Sequence, residues 1–172
     1  MIIWLIGMSG TGKTTIGREL WQNLRDESHP TVFLDGDILR DVWGDSLGYT
    51  VEARAKNAHR ISHLCRMLDV QGFNVVACVL SIFPEWLNWN REHFSNYFEV
   101  FIDTPLEVLE TLDDKGLYAK ARRGELSNVV GIDIPFPVPA CPDLAIDNTR
   151  RDRSPSQLAD EIFRHIQPQL RE

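Results

Sequence analysis

The stretch Gly7-Met8-Ser9-Gly10-Thr11-Gly12-Lys13-Thr14 decides how the rest of the chain reads. It fits the pattern G-x-x-x-x-G-K-[ST]. Before it, Ile2-Ile3-Trp4-Leu5-Ile6 is a short apolar run of the kind that forms a strand buried on both faces. After it, Thr14 to Leu24 has helical spacing, with Ile16, Leu20 and Leu24 on one face and Gly17, Arg18, Glu19, Gln22 and Asn23 around it. Strand, glycine loop and helix therefore follow in the order that a phosphate-binding loop requires. Glycines let successive backbone N–H groups turn inward around a phosphate, and the helix N-terminus adds donors and a favourable dipole. Lys13 can reach the outer phosphates and the Thr14 hydroxyl can ligate Mg²⁺. The pattern points to a nucleoside triphosphate and leaves open what receives the phosphate.

The 172 residues suffice to bury a core and read as one domain. A net charge of −7 argues against a broad nucleic-acid-binding face. The three cysteines, Cys65, Cys78 and Cys141, show no metal-ligand spacing. Cys65 and Cys78 sit in apolar surroundings, which reads as buried thiols in a reducing cytoplasm. The first apolar run is too short for a signal peptide and follows no basic region, and no segment approaches a membrane span.

Further along, Thr31-Val32-Phe33-Leu34 is a second strand-like run ended by Asp35-Gly36-Asp37. Strands alternating with helices imply an α/β fold with a parallel sheet, whose ligands sit beyond the carboxyl ends of the strands. Asp35 and Asp37 then share an edge with the glycine loop, where a carboxylate can take a hydroxyl proton or hold a metal-bound water. Either can equally serve as a turn or cap residue, and Asp37 is placed to cap a helix beginning near Ile38. A loop over Gly44–Thr50 leads to a long helix over Val51–Gln71, where Ala58, Ile61, Leu64, Cys65 and Leu68 form the apolar stripe. Arg54, Asn57 and Arg60 recur at three-residue spacing, either to hold an anionic substrate or as a solvated basic face.

Gly72 stops that helix, and the run from Asn74 to Leu80 is expected at the centre of the sheet, ending at Ser81 on the ligand edge. Pro84 to Ser95 reads as a helix whose Trp86 and Trp89 serve packing or a dimer surface. Tyr97 to Asp103 is the next strand, and Pro105 is expected at the first position of the following helix. The basic segment from Lys115 to Arg123, then Gly124 and the proline-rich run Pro135–Pro142, reads as a mobile lid over about 113–142, or as a surface helix and its loop. A strand over Asp143–Asp147 and a helix capped by Ser154, with Leu158, Ile162, Ile166 and Leu170 on one face, complete the chain.

From residue 1 to about residue 150 the sequence resembles adenylylsulfate (APS) kinases. The resemblance is carried by the loop Gly7–Thr14, Leu34-Asp35-Gly36-Asp37 with Arg40, and Leu47-Gly48-Tyr49 followed by Arg54, Asn57 and Arg60. Further segments are Phe98–Val108, Lys115-Gly116-Leu117-Tyr118 and Gly131-Ile132-Asp133. The resemblance implies a P-loop NTPase three-layer α/β/α sandwich with a mainly parallel sheet and a mobile lid. It implies Mg²⁺-dependent transfer from ATP to the ribose 3′-hydroxyl of adenosine 5′-phosphosulfate, with a small nucleotide as partner and a homodimer as assembly. Gly7, Ser9, Gly10, Thr11, Gly12, Lys13, Thr14 and Thr15 would hold ATP, Thr14 the metal, and Asp37, with Asp35 beside it, would take the hydroxyl proton. Arg40, Arg54 and Asn57 would hold the acceptor, Tyr49 would stack on its base, and Leu80, Lys115 and Val129 complete the acceptor positions. Ser81 aligns with a serine described in the family as a phosphoserine intermediate. Direct in-line transfer needs only positioning, charge neutralisation and a base, so binding of substrate phosphate by the Ser81 hydroxyl or backbone N–H is the plainer expectation.

The departures cluster at the acceptor pocket. Leu112 and Asp114 stand where the family has an arginine and a proline, Val129-Val130 where it has Phe-Thr, and Leu80-Ser81-Ile82 where it has Ile-Ser-Pro. Val129 removes one stacking face, on the order of 1–3 kcal/mol by analogy with single-strand binders. The sequence also resembles the branch that phosphorylates cytidine 5′-diphosphoramidate. A non-catalytic nucleotide-binding module on the same fold would be expected to lack Lys13 or Asp37, and both are present.

Overall fold

The computed structural model describes residues 1–44 and 47–170. Positions 45 and 46 of the expected 44–50 loop lie outside the described residues. The strands are β1 (Ile2–Ile6), β2 (Thr31–Asp35), β3 (Asn74–Val79), β4 (Tyr97–Asp103) and β5 (Leu144–Asp147). The helices are α1 (Lys13–Asp26), α2 (Gly36–Val42), α3 (Val51–Val70), α4 (Pro84–His93), α5 (Leu106–Thr111), α6 (Leu117–Arg122) and α7 (Pro155–Ile166).

All strand pairs are parallel, in the order β2-β3-β1-β4-β5. The middle strand is therefore β1, with Ile3 opposite both Val76 and Phe98. β3 is interior but lies one place from the edge, a correction to its expected central position. Alternation along β1 divides the core in two. Ile3 and Leu5 join Ile16, Leu20 and Leu24 of α1 and Leu158, Ile162 and Ile166 of α7 on one face. Ile2, Trp4 and Ile6 join Leu39 of α2, Ile61 and Cys65 of α3 and Phe94 after α4 on the other. The result is a three-layer α/β/α sandwich. Full burial of an aliphatic side chain stabilises by about 1.5–3 kcal/mol, which is why the apolar runs in the strands are nearly unbroken.

Helix ends follow local chemistry. The Thr50 hydroxyl accepts from Ala53 N at 3.2 Å to start α3. At its end Phe73 N donates to Leu68 O and Gly72 N to Asp69 O, with Gly72 at φ 85°, the double bond that closes a left-handed C-terminal turn. Ser154 and Gln157 form a reciprocal capping box on α7. Pro105 is the N-cap of α5 in extended conformation, one residue earlier than expected. Its ring fixes φ at a value either position accepts, so composition alone does not choose between them.

Candidate active site

The segments that follow β1, β2, β3 and β5 bring chemistry-bearing residues to the carboxyl edge of the sheet, and there a cleft of about 720 Å³ opens. Ser9, Gly10, Gly12, Lys13, Thr14 and Thr15 line one end of it. α1 begins behind Gly12, held at φ 98°, and no side chain caps its first turn. Its free N–H groups are thus available to an anion. Gly7 and Thr11 lie off the cleft wall and shape the loop from behind. A Cβ at Gly7 would meet Ile102 O at 2.7 Å. Buried Thr11 donates to Met8 O at 3.0 Å.

Lys13 Nζ donates to Met8 O at 2.7 Å. Burial pulls its ammonium down to about 8, opposed by the charges of Cys78, Asp37 and Asp35. Thr14 Oγ1 donates to Asp35 Oδ2 at 2.6 Å. Asp35 Oδ1 accepts from Asp37 N at 2.9 Å and Ile38 N at 3.3 Å. The capping role expected of Asp37 therefore belongs to Asp35. α2 starts at Gly36, so Asp37 sits in its first turn with an exposed carboxylate facing the cleft. A hydroxyl and carboxylate oxygens are the hard donors that suit Mg²⁺. Among the described residues no group of three or more His, Cys, Asp or Glu forms a metal site. The donor set therefore fits an ion that keeps waters and takes further ligands from a phosphate chain.

The other end of the cleft is lined by Arg40, Tyr49, Arg54, Asn57, Leu80, Ser81, Lys115 and Val129. The guanidinium carbons of Arg40 and Arg54 lie 4.9 and 5.4 Å from the Tyr49 ring centre. Arg54 also donates to Tyr49 O at 2.9 Å and to Asn128 O at 2.8 Å, bridging the α3 entry to the far wall. Burial lowers its pKa from the usual arginine value, helped by the like charge of Arg40 and opposed by Asp37. Asn57 is buried, accepting from Trp43 Nε1 at 2.9 Å and donating to Gly36 O at 3.3 Å. Arg60 turns away from the cleft, over the Trp43 ring at 5.8 Å. Val129 is only 3% exposed, packed with Leu109 and Tyr118.

In the 113–142 segment, Arg122 pairs with Glu110 and Arg123 with Glu125. The cations of this segment that line the cleft are Lys115 and Lys120. Asp133 accepts from Asn128 N and Val129 N, and Val130 bridges to Ile134.

Four further residues of the site were not singled out by sequence reasoning. Asn148 Nδ2 donates to Thr11 O at 3.0 Å, Tyr118 OH donates to Ser9 O at 2.8 Å, and Arg151 donates to Gly10 O. Trp4 Nε1 donates to Ser81 Oγ at 2.8 Å. Burial pushes the Tyr118 phenol up to about 12, so it remains a donor. The first three bonds link positions more than a hundred residues apart. The available signals were the polar residue at the end of the last strand and the lone polar atom in the first.

A parallel sheet with a phosphate loop after its middle strand, facing a carboxylate and two arginines across one cleft, defines a P-loop phosphotransferase. The chain matches the adenylylsulphate kinase family over residues 1–147 and belongs to it. It is 39% identical to an adenylyl-sulfate kinase of Paraburkholderia xenovorans over 167 residues, covering 96% of this chain and 92% of the relative. It is also 39% identical to a cytidine diphosphoramidate kinase of Campylobacter jejuni over 151 residues, 88% of each. The structure of Mycobacterium tuberculosis APS kinase in complex with AMPPNP and APS superposes with a TM-score of 0.88 at 35% identity, covering 96% of each chain. No helix among the described residues is long and apolar enough to cross a membrane.

Proposed function

We propose that this protein transfers the terminal phosphoryl group of ATP to the ribose 3′-hydroxyl of adenosine 5′-phosphosulfate, giving 3′-phosphoadenosine 5′-phosphosulfate. The observation that carries this reading is the single cleft joining Lys13 and Thr14 to Asp37, Arg40 and Arg54. The acceptor oxygen attacks the terminal phosphorus in line, the bond to the ADP oxygen breaks, and Asp37 takes the hydroxyl proton. Asp37 suits this role because Asp35 already caps α2. Lys13 and the first turn of α1 neutralise charge on the phosphates. The Thr14 hydroxyl and the Asp35 carboxylate are the residues that would hold Mg²⁺, which would supply further charge neutralisation at the phosphates. Arg40 and Arg54 hold the acceptor's anionic group, and Tyr49 packs on its base. The 113–142 segment closes as a lid that brings Lys115 over the phosphates and excludes water. Chain and lid work as one kinase domain, and the ring cluster of Trp86, Trp89, His59 and His63 is the candidate face for a homodimer.

Phosphate-transfer assays with MgATP test this against adenosine 5′-phosphosulfate and cytidine 5′-diphosphoramidate. Preference for the adenosine compound, lost by about 100-fold or more in D37N, is the expected result. Turnover of neither acceptor overturns the assignment. The cytidine compound is the second reading, favoured by the Campylobacter relative and by Val129 in place of an aromatic residue.

A further inference from the structure

Trp4 is the single residue of β1 whose side chain carries a polar atom. It is 1% exposed, yet its edge reaches the wall of the cleft. β1 and β3 run parallel with Trp4 opposite Ala77, so the indole reaches past the end of β3 and donates to Ser81 Oγ at 2.8 Å. Ser81 is held at φ 54°, in the left-handed region that residues with a Cβ rarely occupy. A buried hydrogen bond and an uncommon backbone conformation thus meet at one residue of the acceptor end.

The direction of that bond fixes the chemistry of the serine. An indole N–H only donates, so the Ser81 oxygen must accept there. A hydroxyl has one proton, and this one is left to point elsewhere. Among the described residues Ser81 Oγ has no second hydrogen-bond partner, and Ser81 lines the cleft. We propose that Trp4 is a positioning residue: it fixes Ser81 as a hydrogen-bond donor aimed at the anionic group of the acceptor nucleotide. The inference rests on the kinase reading above. The surroundings of Ser81 also favour binding over reaction. Its oxygen carries a donor on one lone pair, and no carboxylate or imidazole lies within hydrogen-bond distance to take its proton. Phosphorylation of Ser81 would need such a base.

The test compares W4F, which keeps a buried ring and removes the N–H, with S81G, which removes the hydroxyl and tolerates the left-handed backbone. Initial rates are measured with MgATP and adenosine 5′-phosphosulfate. W4F is expected to raise the acceptor KM about 3- to 10-fold, the size of one lost hydrogen bond, with the KM for ATP unchanged. In an S81G background W4F is expected to add almost nothing. An equal rise in both KM values, or an undiminished W4F effect in S81G, overturns the proposal. The indole ¹⁵N–H resonance of Trp4 supplies a readout independent of turnover. Its proton is expected to exchange with water faster in S81G than in the wild type. Equal exchange overturns the proposal even where neither acceptor is phosphorylated, whereas absent turnover by the wild type counts against the kinase reading alone.

Discussion

The Thr14 hydroxyl donates to the Asp35 carboxylate across 2.6 Å, joining the first turn of α1 to the end of β2. The other oxygen of the same carboxylate accepts from two backbone N–H groups at the start of α2. One side chain therefore fixes the Thr14 hydroxyl, the proposed metal ligand, and also presents Asp37.

These two tasks can be separated. T14A is expected to lose about 100-fold or more in kcat and, with its hydrogen bond to the Asp35 carboxylate removed, about 1–3 kcal/mol of stability, while T14S retains most of both. D35N keeps the cap, because asparagine caps as well as aspartate, whereas D35A loses about 1 kcal/mol of stability as well. Thermal melts beside kcat for the four variants check this.

Lys13 gives a pH dependence. Its folded pKa is about 8 against an ordinary 10.5, with burial as the main cause. Between those values the unfolded chain holds more protons, so this residue makes stability rise with pH across the window. Below it the folded protein carries a desolvated ammonium. K13M is therefore expected to melt above wild type at pH 7, with the difference vanishing toward pH 10. Affinity for MgATP should fall as pH rises through 8 in wild type and stay flat in K13M, as equilibrium titrations at each pH will report.

Gly17 offers a packing test. A Cβ there would lie 2.4 Å from Cys78 Sγ and 3.3 Å from a Phe33 ring carbon. Alanine would gain about 1 kcal/mol in helix propensity, but overpacking costs about 1–3 kcal/mol, and at 2.4 Å the clash wins. G17A is expected to lower the melting temperature and G17A/C78A to recover most of it. An additive pair would contradict the packing account.

Arg54 holds Tyr49 O and Asn128 O with two different nitrogens. A lysine has one nitrogen and cannot reproduce the fork. R54K is expected to raise the acceptor KM about tenfold or more and leave the KM for ATP alone. Initial-rate kinetics with each substrate varied in turn will decide.

Much of this was legible beforehand because it is local. The phosphate loop, the apolar runs of the strands and the Ser154 cap are short-range patterns with one physical solution each. Asp35 and Asp37 fall on the expected edge, but which of them caps α2 was not legible, since two carboxylates flanking a glycine satisfy the same turn chemistry; the cap is Asp35. The ion pairs of Arg122 with Glu110 and of Arg123 with Glu125 were not legible, because their geometry is set only once the chain is folded. The bonds that Asn148, Tyr118 and Arg151 make to the phosphate loop were not legible because each reaches it from a part of the chain more than a hundred residues away, a contact no periodicity encodes.

The left-handed turn at Gln71–Phe73 lies at the opposite edge of the sheet from Asp35 and Ser81. Gly72 there has open space within 4 Å of where a Cβ would stand. β3, with its six residues, separates that turn from the cleft by about 20 Å. A fluorophore, an affinity tag or a surface tether attached at Gln71 would ride on the rigid body of the sheet while leaving the nucleotide approach unobstructed. It gives the molecule a natural handle for single-molecule recording of turnover.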